Sequence, residues 1–401
     1  MTLVLPLGIP WFAAVSLAAL DGRRRAVGWL AVGGVAAGLL SLLWLAATVL
    51  RDGPAISVAG GWPGGVGIVL RADMLGLVFA VLSVAVILIA LIYEVLGGLY
   101  SRTFPALVLF MATGLTGLCL TGDVFSFYVF FEISMISAYA LTAYGGRTRQ
   151  IRAALIFATV NLLGSVLFLI AIAALYHLTG TLEMTTVAKR MAAVGTNPSV
   201  LTATLIFTAF SVKLGIFPFH WWLPAVYTGT RPTVAAILSA ALANIGSYGL
   251  LRFGAEILPR ELRIVSFALL ILGTASIVYG ALQALSRHVP SEMLAYSSIG
   301  QVGYILIALA IGGPVGYAAA VLYAVVNALN KTLLFLSAGL RGPLVQAAFA
   351  IGAFSVAGIP PSAGFFGKVA LFGAGIESDS ALLVALIFLG GALSFVYMFQ
   401  V

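Results

Sequence analysis

Apolar stretches of roughly eighteen or more residues, each close to the length that crosses a bilayer, follow one another along almost the whole chain. Only short charged or Gly/Pro-rich links interrupt them. In lipid every backbone polar group has to be satisfied within its own segment or in a closed barrel, and runs of this length fit helices rather than strands. The composition agrees. Of 401 residues, 62% are apolar and 8% charged, too few charges to cover a water-soluble body of that size. The expected fold class is an all-α polytopic membrane protein with the lipid bilayer as its solvent.

The net charge of +8 does not indicate nucleic acid, because the basic residues lie singly or in threes between apolar segments instead of forming one basic face. They read as topology signals. Cys119 is the only cysteine and sits inside an apolar run, so neither a disulfide framework nor a metal or redox cofactor site is expected. The first run, Leu3 to Leu20, has no basic segment before it and Arg23, Arg24 and Arg25 after it, which fits a retained span better than a cleaved signal.

Breaking the chain at charges and Gly/Pro clusters gives about thirteen spans. They run 3–20, 26–50, 73–98, 105–121, 124–144, 153–178, 199–221, 232–254, 264–286, 293–311, 315–340, 346–375 and 380–400. With the amino terminus outside, the triplets Arg23/Arg24/Arg25 and Arg147/Arg149/Arg152 fall in short cytoplasmic loops, where the positive-inside rule is strongest. Arg51, Arg71, Lys189, Arg190, Arg252, Arg260 and Arg263 then fall in external loops. Thr181 to Ala193 reads as an amphipathic surface helix, and Trp62, Trp221, Trp222 and Tyr248 as interface anchors or packing groups.

That assignment strands Lys213, Lys331 and Lys368 within spans. A lysine at mid-membrane costs about 2.5–3.5 kcal/mol on insertion scales, so it persists where it meets a partner, a bundle interior or water. Lys213 opens a stretch running through Pro218 to Pro224, and Lys368 follows Pro360 and Pro361. Each proline deletes a backbone donor, so a helix break is expected at Pro218 and at Pro360/Pro361. Backbone freed at that depth is tolerated beside protein or a hydrated cavity. Two such breaks carrying lysines point to an internal repeat.

Glu132 is the carboxylate placed nearest the middle of a span, which makes it the natural counter-charge for a buried lysine; the competing reading is a static ion pair between helices. Asn327 lies one turn before Lys331, on its face, and could hold water or an ammonium group. His220, just after Pro218, reads equally well as a proton relay and as a satisfied structural histidine.

Five segments together resemble the antiporter-like subunits shared by respiratory complex I, membrane-bound hydrogenases and Mrp-type cation/proton antiporters. They are Gly122–Phe125 leading to Phe131–Ile133, Lys213–Pro224, Ala295–Tyr304, the surroundings of Lys331, and Gly358–Lys368. The stretch from Gly122 through Tyr139, with Gly180–Leu182, looks most like the Mrp D subunit. The resemblance implies three leading helices in 1–104 and two inverted five-helix repeats, in 105–254 and 255–401. It also implies a proton path in which Glu132 pairs with Lys213 and the relay continues to Lys331 and Lys368. Two departures stand out. Asn244 occupies the place of the family's basic residue in the eighth span, and Leu223-Pro224-Ala225 replaces the usual Leu-Pro-Asp.

The function expected is therefore proton translocation within a multi-subunit monovalent cation/proton antiporter, with other membrane subunits as partners, protons as cargo and sodium as a candidate coupled ion. The expected location is a bacterial-type inner cell membrane, crossed many times. Two alternatives stand beside it: a proton-pumping arm of an NADH:quinone oxidoreductase or membrane hydrogenase, and a scaffold that has lost transport. No chemical active site is read in this chain, and the sites expected are Glu132, Lys213, Lys331 and Lys368, with Asn244, His220 and Asn327 as accessory positions.

Overall fold

The computed structural model describes residues 3–58, 67–99 and 101–400, which excludes Trp62. The chain divides into two compact units, 1–209 and 210–401. Among the described residues, ten helices are long and apolar enough to cross a membrane, and Leu5–Ala18, Phe104–Leu120 and Pro343–Ala357 are shorter apolar helices.

The first unit contains α1 (Leu5–Ala18), α2 (Arg25–Asp52), a hairpin of β1 (Ala55–Val58) and β2 (Val69–Ala72), α3 (Met74–Gly97), α4 (Phe104–Leu120), α5 (Val124–Thr142), α6 (Thr148–Thr179), α7 (Met184–Met191) and most of α8 (Thr196–Leu214). The hairpin is an exception to the all-helical expectation. Its two four-residue strands pair antiparallel, with Ala55 opposite Ala72 and Val58 opposite Val69. The short helix α7 falls within the stretch expected to be amphipathic.

At the centre, α4 is buried along nearly its whole length and packs on α1, α3 and α5. Small residues permit this. A Cβ at Gly114 would stand 2.9 Å from the Phe130 carbonyl oxygen on α5, so glycine is what allows the two backbones to approach. By contrast, α2 and α6 leave Leu30, Leu40, Trp44, Leu155, Leu162 and Leu163 exposed, as helices facing lipid would.

One end of α5 is knitted to its surroundings. Gly122 N donates to Val69 O of the hairpin, Val124 N to Leu182 O and Met184 N to Gly122 O, each at 2.8 Å. Asp123 caps α5 by accepting from Ser126 N at 2.7 Å, and Glu183 caps α7 by accepting from the Thr185 and Thr186 amides. Burial pushes the Asp123 carboxyl up from the usual range, an effect that its hydrogen bonds only partly offset.

The second unit holds the rest of α8, a 3-10 turn (Phe219–Trp221), α9 (Trp222–Gly229), α10 (Pro232–Ala236), α11 (Asn244–Gly249), α12 (Pro259–Leu285), α13 (Pro290–Ile311), α14 (Gly313–Ala338), α15 (Pro343–Ala357), α16 (Ala363–Glu377) and α17 (Ala381–Met398). Helices α12 and α13 meet along Gly273, Gly280, Gly300 and Gly303; a Cβ at Gly280 would fall 2.9 Å from the Gly300 Cα. On the far side of α13 lies α14, which also packs on α15 and α16 and is thereby the core helix of the unit.

The cap gives a test of the α5 entry. Because the folded Asp123 carboxyl titrates above its unfolded range, its ionisation opposes folding. The contribution of this group is fully present below the unfolded pKa and is lost as pH rises through the folded one. At neutral pH, Asp123→Asn, which keeps the accepting oxygen without the charge, should therefore not destabilise the turn. Asp123→Ala should cost about 1 kcal/mol, seen as roughly fivefold faster amide exchange at Ser126. Equal exchange rates in Asp123→Ala and the parent protein would contradict the cap.

Candidate functional site

In the first unit, Glu132 lies midway along α5 with its Oε1 buried and lacking a hydrogen-bond partner. Tyr128 and Tyr139, one turn before and two turns after it, share its face. Both rings lie within its electrostatic reach, and the Tyr139 hydroxyl is likewise buried without a partner. A buried carboxylate oxygen in that condition loses about 1–3 kcal/mol relative to a satisfied one, which makes this face a place to accept a proton or a donor. Glu94 on α3 is a second buried carboxylate; its position near the end of a span hid it from the sequence reading.

Both expected helix breaks are present in the second unit, and in each the helix stops at a glycine ahead of the proline. Helix α8 ends at Leu214, followed by Gly215 at φ +65°; α15 ends at Ala357, followed by Gly358 at φ +81°. A left-handed residue terminates a helix cheaply only when it is glycine, and the prolines downstream prevent its resumption. At the first break Lys213 is buried in the last turn of α8. The freed backbone is satisfied by side chains: Trp222 Nε1 donates to Val212 O and Phe217 N donates to Ser276 Oγ, both at 3.0 Å. His220 stacks on Phe217 with ring centroids 5.4 Å apart and lies 4.3 Å from the Tyr279 ring, and its buried Nδ1 is unpartnered. Trp222 and Tyr248 are buried packing groups, whereas Trp221 is exposed.

At the second break Lys368 reaches back from α16, and its Nζ donates to the Ala357 carbonyl at 2.7 Å. That carbonyl is the last of α15. The ammonium thus sits on the negative end of a half-helix, exposed there by the interruption itself. The amide opening the other half, Gly364 N, donates to Ser355 Oγ at 2.9 Å.

Lys331 is completely buried on α14, one helix away from Lys368, since α14 packs on α16. Its Nζ donates to Ser297 Oγ at 2.9 Å and to the Leu294 carbonyl at 3.3 Å, both on α13. Asn327 shares the face of Lys331 as its spacing required, but its Oδ1 has no hydrogen-bond partner. Beyond Ser297 the polar groups continue. Ser297 Oγ and the Tyr397 hydroxyl are 3.1 Å apart, Gln301 Nε2 donates to Tyr397 at 2.9 Å, and Tyr323 donates to Gln301 Oε1. Sequence reasoning did not single out Ser297, Gln301, Tyr323, Ser394 or Tyr397 as site residues. The available signal was their spacing: Ser297 and Gln301, Tyr323 and Lys331, and Ser394 and Tyr397 each fall on one face of an otherwise apolar helix.

Asn244 opens α11 between two π-helical segments, Ile237–Leu242 and Leu250–Ile257, and its Nδ2 is buried without a partner. Arg252 corrects the assignment of basic residues. Counted above with the external loops, it lies inside this span, buried, bonded to Tyr248 Oη at 3.0 Å and paired with Glu256. The wider turns of the π segments carry the helix on to Ile257, beyond the boundary read from hydropathy.

Fold and site together define a polytopic helical membrane protein of the ion-translocating type, with buried lysines set beside broken helices. The family described as NADH:quinone oxidoreductase/Mrp antiporter, TM, matches residues 121–341 and 339–394. A Desulforudis audaxviator protein named NADH-quinone oxidoreductase subunit N is 35% identical over 89% of this chain and 76% of its own length. A Staphylococcus aureus protein whose name describes it as antiporter subunit mnhD2 is 30% identical over 100% of this chain and 84% of its own. A chain in the structure of the Mrp complex from a Dietzia species superposes with a TM-score of 0.93 at 27% identity, covering 100% of this chain and 79% of that one. The chain belongs to the NADH:quinone oxidoreductase/Mrp antiporter membrane-subunit family.

The seat of Lys368 can be tested through Gly358. A Cβ at Gly358 would demand a left-handed alanine and stand 3.2 Å from Lys368 Nζ and Cε. Gly358→Ala should therefore displace the ammonium from Ala357 O and cost about 1–2 kcal/mol in backbone strain. The expected outcome is ion flux per assembled complex no higher than in Lys368→Ala, measured in vesicles. Parent-level flux would mean that the seat on α15 is unimportant.

Proposed function

We propose that this chain is the proton-translocating subunit of a multi-subunit monovalent cation/proton antiporter, similar to the Mrp D subunit, and that protons move through Glu132, Lys213, Lys331 and Lys368. The observation carrying this reading is the placement of Lys331 and Lys368 on adjacent helices, each held by neutral oxygens at membrane depth. A hydrogen bond from a charged group to a neutral acceptor contributes about 1.5–3 kcal/mol, and one charge crossing 100 mV gains about 2.3 kcal/mol. A membrane voltage is thus large enough to compete with what holds these ammonium groups. Permanent ion pairs would be harder to disturb.

In this proposal Glu132 and Lys213 are switchable charges of the path: a carboxylate near an ammonium stabilises it, and its loss drives the proton onward. Asn244, where the family resemblance implies a basic residue, bridges through ordered water instead of titrating. The helices form the two inverted repeats, 105–254 and 255–401, after the leading 1–104. The amino terminus faces outward from a bacterial-type cell membrane, and the exchanged ion is a monovalent cation such as sodium.

One observation favours a second reading, in which the chain is a proton-pumping arm of a redox-driven complex: the 35% identity to a protein named as subunit N. Partners decide between them. Iron–sulfur or flavin-bearing subunits in the purified native complex would mean redox drive, and small hydrophobic membrane subunits alone would mean antiport.

Glu132→Gln and Lys213→Ala should each nearly abolish proton flux in reconstituted vesicles while the complex still assembles, since each removes a switchable charge rather than a packing group. Flux at the parent level in both would refute the relay. For Asn244→Lys, flux normalised to assembled complex should change in either direction if the path passes this point. Unchanged flux combined with lower stability would exclude it.

A further inference from the structure

The second unit contains a buried series of hydroxyls that the lysine path alone does not use. From Lys331 Nζ it runs to Ser297 Oγ at 2.9 Å, to the Tyr397 hydroxyl at 3.1 Å and to Ser394 Oγ at 3.3 Å. Ser394 lies one turn from Gly391 on α17, and Lys368 Nζ lies against Gly391, where a Cβ would stand 3.4 Å away. Ser297, Ser394 and Tyr397 are all at most 2% exposed. The series thus begins on one buried lysine and ends one helical turn from the other.

Gln301 restricts this series to two directions. Its Nε2 donates to the Tyr397 hydroxyl at 2.9 Å and to Ser394 Oγ at 3.3 Å, filling one acceptor position on each oxygen. The single proton of Tyr397 can then point to Ser297 or to Ser394. With Lys331 charged, the ammonium donates to Ser297 and every hydroxyl beyond it points away. With Lys331 neutral, its lone pair accepts from Ser297 and the series reverses. At the far end, the Tyr304 hydroxyl is buried beside Ser394; a Cβ at Gly390, whose carbonyl accepts from Ser394, would overlap it.

We propose that Ser297, Tyr397 and Ser394 form a hydroxyl wire carrying protons between Lys331 and Lys368, with Tyr397 as its switch. The proposal rests on the reading of those lysines as proton carriers. In one transfer, the Lys331 ammonium loses a proton to Ser297 Oγ as the Ser297 proton passes to Tyr397. The Tyr397 proton passes to Ser394, and the Ser394 proton crosses one water molecule, held near Tyr304, to a neutral Lys368. Each oxygen gains one proton and loses one, no electrons are exchanged, and only the two lysines change charge. Rotation of the three hydroxyls resets the wire.

The test is proton flux per assembled complex in vesicles carrying the whole complex, with Lys331→Ala measured alongside. Tyr397→Phe keeps the ring and removes the hydroxyl. It should lower flux about a hundredfold, the scale of a lost positioned proton donor. Ser297→Ala should do the same, while Ser297→Thr, which retains a hydroxyl, recovers most of the flux; loss in Ser297→Ala without loss in Tyr397→Phe would mean that Ser297 only holds the Lys331 ammonium and would overturn the wire. Parent-level flux in Tyr397→Phe with none in Lys331→Ala overturns the wire and leaves the lysine path standing. Parent-level flux in Lys331→Ala overturns the lysine path and the wire with it. Should Tyr397→Phe fail to assemble, Ser394→Ala and Ser394→Thr decide: equal flux in the two overturns the wire, and loss only in Ser394→Ala supports it.

Discussion

An ammonium group at membrane depth has to be held by something other than water, and the second unit meets that demand with oxygens that carry no full charge. Lys331 is held by a serine hydroxyl and a backbone carbonyl, Lys368 by the carbonyl that ends a half-helix. Such bonds are strong enough to keep a charged side chain inside a bundle and weak enough for a neighbouring charge or a voltage to disturb. The breaks follow from this requirement. An unbroken helix offers a side chain few free carbonyls, because each is already bonded four residues on. Interrupting α15/α16 at Gly358 leaves Ala357 O available, and Lys368 takes it.

The same constraint accounts for the packing around the site. Helix α13 must bring Leu294, Ser297 and Gln301 within reach of α14 while its opposite face lies against α12, and the glycines at 273, 280, 300 and 303 let that second contact form backbone to backbone.

What could be read in the sequence was what periodicity and charge report locally. Charges inside apolar runs are rare enough that Lys213, Lys331 and Lys368 marked themselves, and Pro218 and Pro360/Pro361 marked the interruptions to within a few residues. The partners were not legible. Ser297 meets Lys331 from 34 residues away, and Tyr397 meets Ser297 from 100, and no local pattern encodes either pairing. The hairpin escaped because its strands are four residues long and are separated by ten residues, well beyond the short loop that marks a hairpin in sequence. Arg252 was counted with the loop charges although the span read as 232–254 already contains it, and the π-helical segment carries that helix on to Ile257.

The central claim is that protons pass through Lys331 and Lys368 in series, and a double-mutant comparison tests it most directly. Proton flux per assembled complex would be measured for Lys331→Ala, Lys368→Ala and the double variant in the same vesicles. A single path interrupted twice conducts no worse than one interrupted once, so all three variants should show the same low residual flux. Losses that multiply in the double variant, or single variants that keep most of the parent flux, would contradict a series path through these two lysines.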